Sequence, residues 1–150
     1  MRTKEQNDLL YVSALIEYTG RKMKLRNADL VKIMGKKELA WQLEYADVSH
    51  CMSFEETSDE LIEKFNILTG DFDSEGMSEY EPPHYIAIAG VYSRLIDKLI
   101  TSYEEEAVDI MYKVFTSFIS DEISNFNTST FYENPSFIYH SYLKGELLND

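Results

Sequence analysis

Tyr85-Ile86-Ala87-Ile88-Ala89-Gly90-Val91-Tyr92-Ser93-Arg94-Leu95-Ile96-Asp97-Lys98-Leu99 is the stretch that decides the fold class. Tyr85, Ile88, Ala89, Tyr92, Leu95, Ile96 and Leu99 recur at spacings of three and four, the period of a helix that buries one stripe. Pro82 and Pro83 suit its entry, because a proline in the first turn forfeits no needed donor. His84 is then expected in that first turn.

The same period recurs outward in both directions. Downstream, Glu104, Glu105 and Glu106 open a helix where its dipole favours anions, with a core face of Ala107, Ile110, Met111, Val114, Phe115 and Phe118. Residues 125–129 read as a turn. Asn134-Pro135 reads as the cap and first residue of a last helix carrying Ile138, Tyr142 and Leu143. Upstream, a first helix spans residues 4–19 and stops at Gly20, with Arg21 and Lys22 at its negative end. Asn27 caps a short helix of Leu30, Val31, Ile33 and Met34 that Gly35 closes. A third runs over residues 37–50, with Leu39, Leu43 and Ala46 on one face and Trp41, Tyr45 and Val48 beside it. Ser53 and Glu56 form a capping box for a fourth, whose stripe is Leu61, Ile62 and Phe65.

Alternating strand patterns are hard to find in the sequence, and glycine and proline are scarce, at six and three. The fold class expected is all-α: one domain, a bundle of six or seven helices with mostly antiparallel neighbours. Residues 69–81, polar and acidic with two glycines, read as a connector between a four-helix front (1–68) and a three-helix back (82–150). The 150 residues are 44% hydrophobic, enough for a sizeable core. The single cysteine, Cys51, excludes an intramolecular disulfide and fits a reducing compartment. The N-terminal residues carry no signal-peptide pattern, and no apolar run approaches the ~20 residues that span a bilayer. A cytoplasmic location without membrane contact is expected.

Charge is unevenly spread. Residues 1–50 hold nine of the fourteen Lys and Arg, whereas residues 51–150 hold twenty of the twenty-seven Asp and Glu. The basic segment Arg21, Lys22, Lys24, Arg26, Lys32, Lys36 and Lys37 surrounds a helix, a glycine turn and a helix, the outline of a DNA-binding pair. Its details oppose that use. Lys36 occupies a position that is usually apolar, and the helix that would read bases carries Glu38 and Glu44, which repel phosphate. With a net charge of −13, nucleic acid is an unfavoured partner.

Other chemistry is sparse. Asp71, Asp73, Glu75 and Gly76 imitate the opening of a calcium loop, but its twelfth position, which needs a bidentate carboxylate, is Pro82. A solvated acidic linker is expected there. His50, Cys51, His84 and His140 lack zinc spacing, and a Cys–His dyad would require the fold to bring Cys51 to a distant histidine. Glu55, Glu56, Asp59, Glu60 and Glu63 make an acidic outer face on the fourth helix, suited to a basic protein partner. Tyr132, Tyr139 and Tyr142, near Phe131 and Phe137, are candidates for an aromatic interface.

Leu15-Ile16-Glu17-Tyr18, the basic run after Gly20, Gly35-Lys36-Lys37-Glu38-Leu39 and Ala46-Asp47-Val48-Ser49-His50 resemble a family of small helical bacterial proteins found in Firmicutes. The likeness covers roughly residues 10–65, and its most recognisable element is a D-V-x-H signature that Asp47, Val48 and His50 fit. Members of this kind are often encoded beside toxin-like genes, ADP-ribosyltransferase-like ones among them. The resemblance therefore implies an accessory or antitoxin role, and it carries over no catalytic residues. Asp47 and His50, three apart, would share a helix face and orient the turn into the fourth helix.

The functional expectation is a non-enzymatic interaction module, antitoxin-like or regulatory, that binds a basic partner through its acidic face. No cofactor is expected. Two alternatives stand beside it: an enzyme or metal-dependent protein that uses His50 with nearby carboxylates, and a nucleic-acid binder through residues 21–37. Self-association of a positive front with a negative back is a further expectation.

Overall fold

A computed structural model describes residues 2–148, and within them the chain is all-α, without strands. Eight helices follow in order: α1 (Lys4–Met23), α2 (Asn27–Glu44), α3 (Ala46–Ser49), α4 (Phe54–Phe65), α5 (Tyr85–Tyr103), α6 (Ala107–Phe115), α7 (Phe118–Ser124) and α8 (Pro135–Lys144), with a 3-10 turn at Thr130–Tyr132. That is one or two more than the sequence pattern suggests, and the extra ones come from breaks inside expected helices. The stretch expected at 37–50 is divided at Tyr45 into the end of α2 and the single turn α3. The helix expected to reach Phe118 stops at Phe115, where Ser117 turns to cap α7 by accepting a hydrogen bond from the Ile119 amide (3.3 Å).

Two capping boxes open α1 and α4. Thr3 Oγ1 accepts from the Gln6 amide (3.1 Å) while Gln6 Oε1 accepts from the Thr3 amide (2.9 Å). Ser53 and Glu56 exchange the same pair of bonds at α4, as the sequence predicts. Pro82 and Pro83 lie ahead of α5 rather than inside its first turn. His84 is its cap, with Nδ1 accepting from the Ile86 amide (3.1 Å). Asn134 Oδ1 caps α8, with Pro135 as first helical residue.

Gly20 does not end α1, which continues for a further turn to Met23. A Cβ on Gly20 would lie 2.5 Å from Asn27 Oδ1, so the absent side chain makes room for Asn27. Asn27 is accordingly the first residue of α2 and not its cap: its amide turns into the core, and Arg26 takes the cap position without a side-chain bond. Gly35 does interrupt α2, with φ 75° and ψ 169°, a backbone region open almost only to glycine.

α1 and α5 form the most extensively packed pair, and α2, α4, α6 and α8 surround them. Leu9, Val12, Leu15 and Ile16 of α1 share one apolar cluster with Ile88, Tyr92, Leu95, Ile96 and Leu99 of α5. The same cluster takes in Leu39, Leu61, Met111, Phe115, Ile119 and Ile138. The front and the back expected on either side of residues 69–81 therefore share a core. The connector itself is tied down. The amides of Gly70 and Phe72 donate to the carbonyls of Met23 (2.8 Å) and Lys24 (2.9 Å), and Asn127 bonds both Met77 and Glu79.

Candidate functional sites

The basic segment is largely neutralised inside the chain. Lys22 pairs with Asp59 (2.6 Å), Arg26 with Asp29 and Asp121 (3.1 and 3.0 Å), and Lys36 with Asp109 (3.2 Å). Arg21 runs inward to Glu17 (2.7 Å). Lys24, Lys32 and Lys37 have no carboxylate within 4.0 Å among the described residues. Lys22, Arg26 and Lys36 of the positive front thus meet acids of the negative back within one molecule, which leaves fewer free cations to track a phosphate backbone.

Behind Arg21 lies a polar network that the sequence reading missed. Glu17 is 2% exposed. Its carboxylate accepts from Arg21 Nε (2.7 Å) and Asn27 Nδ2 (2.8 Å). Asn27 Nδ2 also donates to Tyr92 Oη (3.4 Å), which stands 2.9 Å from Ser120 Oγ. Burial pushes the Tyr92 phenol well above the ordinary tyrosine range, and the Glu17 charge adds to the effect. With the Tyr92 ring stacked on Phe115 (4.1 Å), the network pins α1, α2, α5 and α7 together.

The fourth helix presents Glu55, Glu56, Asp59, Glu60 and Glu63 to solvent, as its pattern predicts. Glu56 is engaged in the capping box and Asp59 with Lys22. Glu55, Glu60 and Glu63 have no ion pair among the described residues. A groove of about 400 Å³ runs between the second half of α2 and the end of α4, walled by Met34, Ala40, Trp41 and Phe65 with the charged Lys37 and Glu44. Trp41, the chain's only tryptophan, is 46% exposed, and its ring lies 4.7 Å from that of Tyr45. Val48, in α3, is also exposed. Lys64 bridges the groove: its ammonium pairs with the buried Glu38 (2.6 Å) and lies over the Trp41 and Phe65 rings. Periodicity puts Trp41 beside the face of Leu39, and the structure leaves it half-exposed.

The C-terminal tyrosines divide. Tyr132 is exposed. Tyr139 donates to Ser102 Oγ (2.9 Å) and carries the Lys98 ammonium over its ring (4.5 Å), which seats α8 on α5. Tyr142 is half-buried, and burial raises its phenol. Two of the three therefore pack the last helix, which contacts α5 and α7, whereas α4 packs on α1.

His50 and Asp47 line a second cleft, of about 470 Å³, at the start of α1. Tyr11, Phe54, Leu10 and Ile86 form its apolar wall, with the Tyr11 ring 5.1 Å from Phe54 and 5.7 Å from His50. Burial raises the Tyr11 phenol, which lies 3.3 Å from both the Ser49 carbonyl and Thr57 Oγ1. Asp8 stands with Asp47 at the rim, and the Lys4 ammonium spans the two, at 2.8 and 3.4 Å. His50 makes no ion pair with either carboxylate among the described residues. Asp47 and His50 thus share a cleft rather than a local hydrogen bond.

Asp71, Asp73 and Glu75 do not converge: Asp73 Oδ1 is taken by the Gly76 amide (2.9 Å), and Glu75 leans towards Arg21. No group of three or more His, Cys, Asp or Glu among the described residues is placed to hold a metal ion. Cys51 is exposed and makes no hydrogen bond to His84 or His140, which caps α5 and lies against Tyr139 respectively. No described helix is long and apolar enough to cross a membrane. No family model matches the chain, and comparison with the curated proteins and with the solved structures finds no match to either.

Proposed function

We infer that this protein is a non-enzymatic interaction module, regulatory or antitoxin-like in use, that docks a basic protein surface on the Trp41 groove and the acidic face of α4. The observation that carries the reading is the half-exposed Trp41, its ring 4.7 Å from that of Tyr45, in a groove that Glu44 and Lys37 also line, neither of them with an ion pair among the described residues. Tryptophan and tyrosine held in a shallow groove are the side chains that dominate binding energy when a partner excludes water around them. The occupant follows from charge: Glu60 lies one turn before Lys64 on the same side of α4, so a partner segment that brings Lys or Arg around an apolar anchor meets attraction on its approach.

The test is a titration with a basic amphipathic peptide, read by calorimetry at two salt concentrations. Binding should weaken at least tenfold between low salt and about 0.5 M, where exposed charges are screened within a few ångströms. Trp41→Ala should weaken it by about 2 kcal/mol or more. Paired Glu60→Gln and Glu63→Gln changes should flatten the salt dependence. A complex indifferent to salt and to Trp41→Ala would end the reading.

A further inference from the structure

We propose that the cleft between the start of α1, α3 and the start of α4 is a binding site for a small organic amine, with its ammonium held between Asp8 and Asp47 and its apolar body against Tyr11 and Phe54. The site is separate from the docking surface inferred above and does not depend on it.

The carboxylates converge from different elements, Asp8 from α1 and Asp47 from α3, on a single ammonium. Asp8 is only 13% exposed, so its charge is poorly solvated and in need of a close cation. Among the described residues the one cation within 4.0 Å of either carboxylate is Lys4. Arg2, also at the rim, turns its Nε to Asn7 Oδ1 (3.0 Å) instead.

Lys4 is a weak occupant. Its side chain is 58% exposed, so holding it in place sacrifices the rotamer freedom of a long chain. It is also the first residue of α1, where the positive end of the helix dipole opposes a cation, and it precedes its acid in the less favourable order for a helical pair. The cleft beside it, about 470 Å³, falls in the range of small-molecule sites, and its lining combines aromatic and aliphatic side chains with charged and polar ones. A free amine can supply the same charge from within the cleft and bury apolar surface that Lys4 leaves open. Flat bodies are favoured, because the Tyr11 and Phe54 rings lie within 21° of parallel and invite an offset third ring. Lys4 then acts as a tethered competitor, and its removal should open the site.

Titration of the full chain with 2-phenylethylamine and with its neutral counterpart 2-phenylethanol, followed by the aromatic NMR signals of Tyr11, Phe54 and His50, tests this. The amine is expected to shift those signals saturably and to bind at least tenfold tighter than the alcohol. Asp8→Asn should weaken amine binding about tenfold, whereas Lys4→Ala should tighten it several-fold without altering the alcohol. The opposite signs of the two variants guard against loss of fold. Equal binding of amine and alcohol, no saturable shift at millimolar amine, or a Lys4→Ala variant that binds the amine no better would each overturn the proposal.

Discussion

A carboxylate with almost no contact with water must find its charge balance within the chain, and Glu17 finds it in Arg21, with a neutral hydrogen bond from Asn27. Removing one partner of a buried pair leaves the other uncompensated, so Arg21→Met should destabilise the fold by about 3–5 kcal/mol in urea unfolding, far more than the loss of an exposed arginine. The double change Glu17→Met with Arg21→Met should recover much of that loss. Tyr92 supplies a pH signature. Its phenol titrates higher in the folded chain than the ordinary 10.0, so the folded state keeps a proton that the unfolded state releases. Its contribution is fully present below pH 10 and is lost as pH rises through the folded value. The melting temperature of the wild type should therefore fall more steeply above pH 10 than that of Tyr92→Phe, and parallel slopes would contradict the assignment. None of this was legible in the sequence. Glu17 and Asn27 stand beside strongly apolar positions, and a polar residue next to such a stripe reads as surface or as a cap until a buried partner is seen.

At the scale of single elements, legibility followed local chemistry. The stripe of α5 and the Ser53–Glu56 box were readable because each depends only on residues within a few positions, and both stand in the structure. The end of α1 was not. Gly20 has the character of a stop, but what places it inside the helix is the close approach of Asn27, a tertiary fact. Likewise the hydrophobic period of residues 107–118 conceals a break that only Ser117's capping bond reveals. The Trp41 groove was hidden because it forms between two elements, the second half of α2 and the end of α4, which no local period relates. Ser53→Ala should cost about 1 kcal/mol through loss of the box. Gly35→Ala should cost about 1–3 kcal/mol although nothing lies within 4 Å of the added methyl, because the cost lies in the backbone. Denaturant midpoints with an unchanged m-value would check both, and a neutral Gly35→Ala would show that the kink relaxes freely.

For the whole molecule, folding resolves part of the asymmetry of charge along the sequence. Lys22, Arg26 and Lys36 each reach acids at least 37 positions away or across the bundle, so the front neutralises the back where they touch. These pairs are exposed and each contributes little to stability. Their larger effect is on what remains outside: unpaired carboxylates of α4 beside an aromatic groove. Because Trp41 is the only tryptophan, its fluorescence reports on that groove alone. The decisive measurement is Trp41 emission and its quenching by acrylamide as a tryptophan-free basic amphipathic peptide is added. The account predicts a saturable blue shift and protection from the quencher, both abolished by high salt. A peptide that binds while Trp41 stays as open to quencher as in the free protein would contradict it.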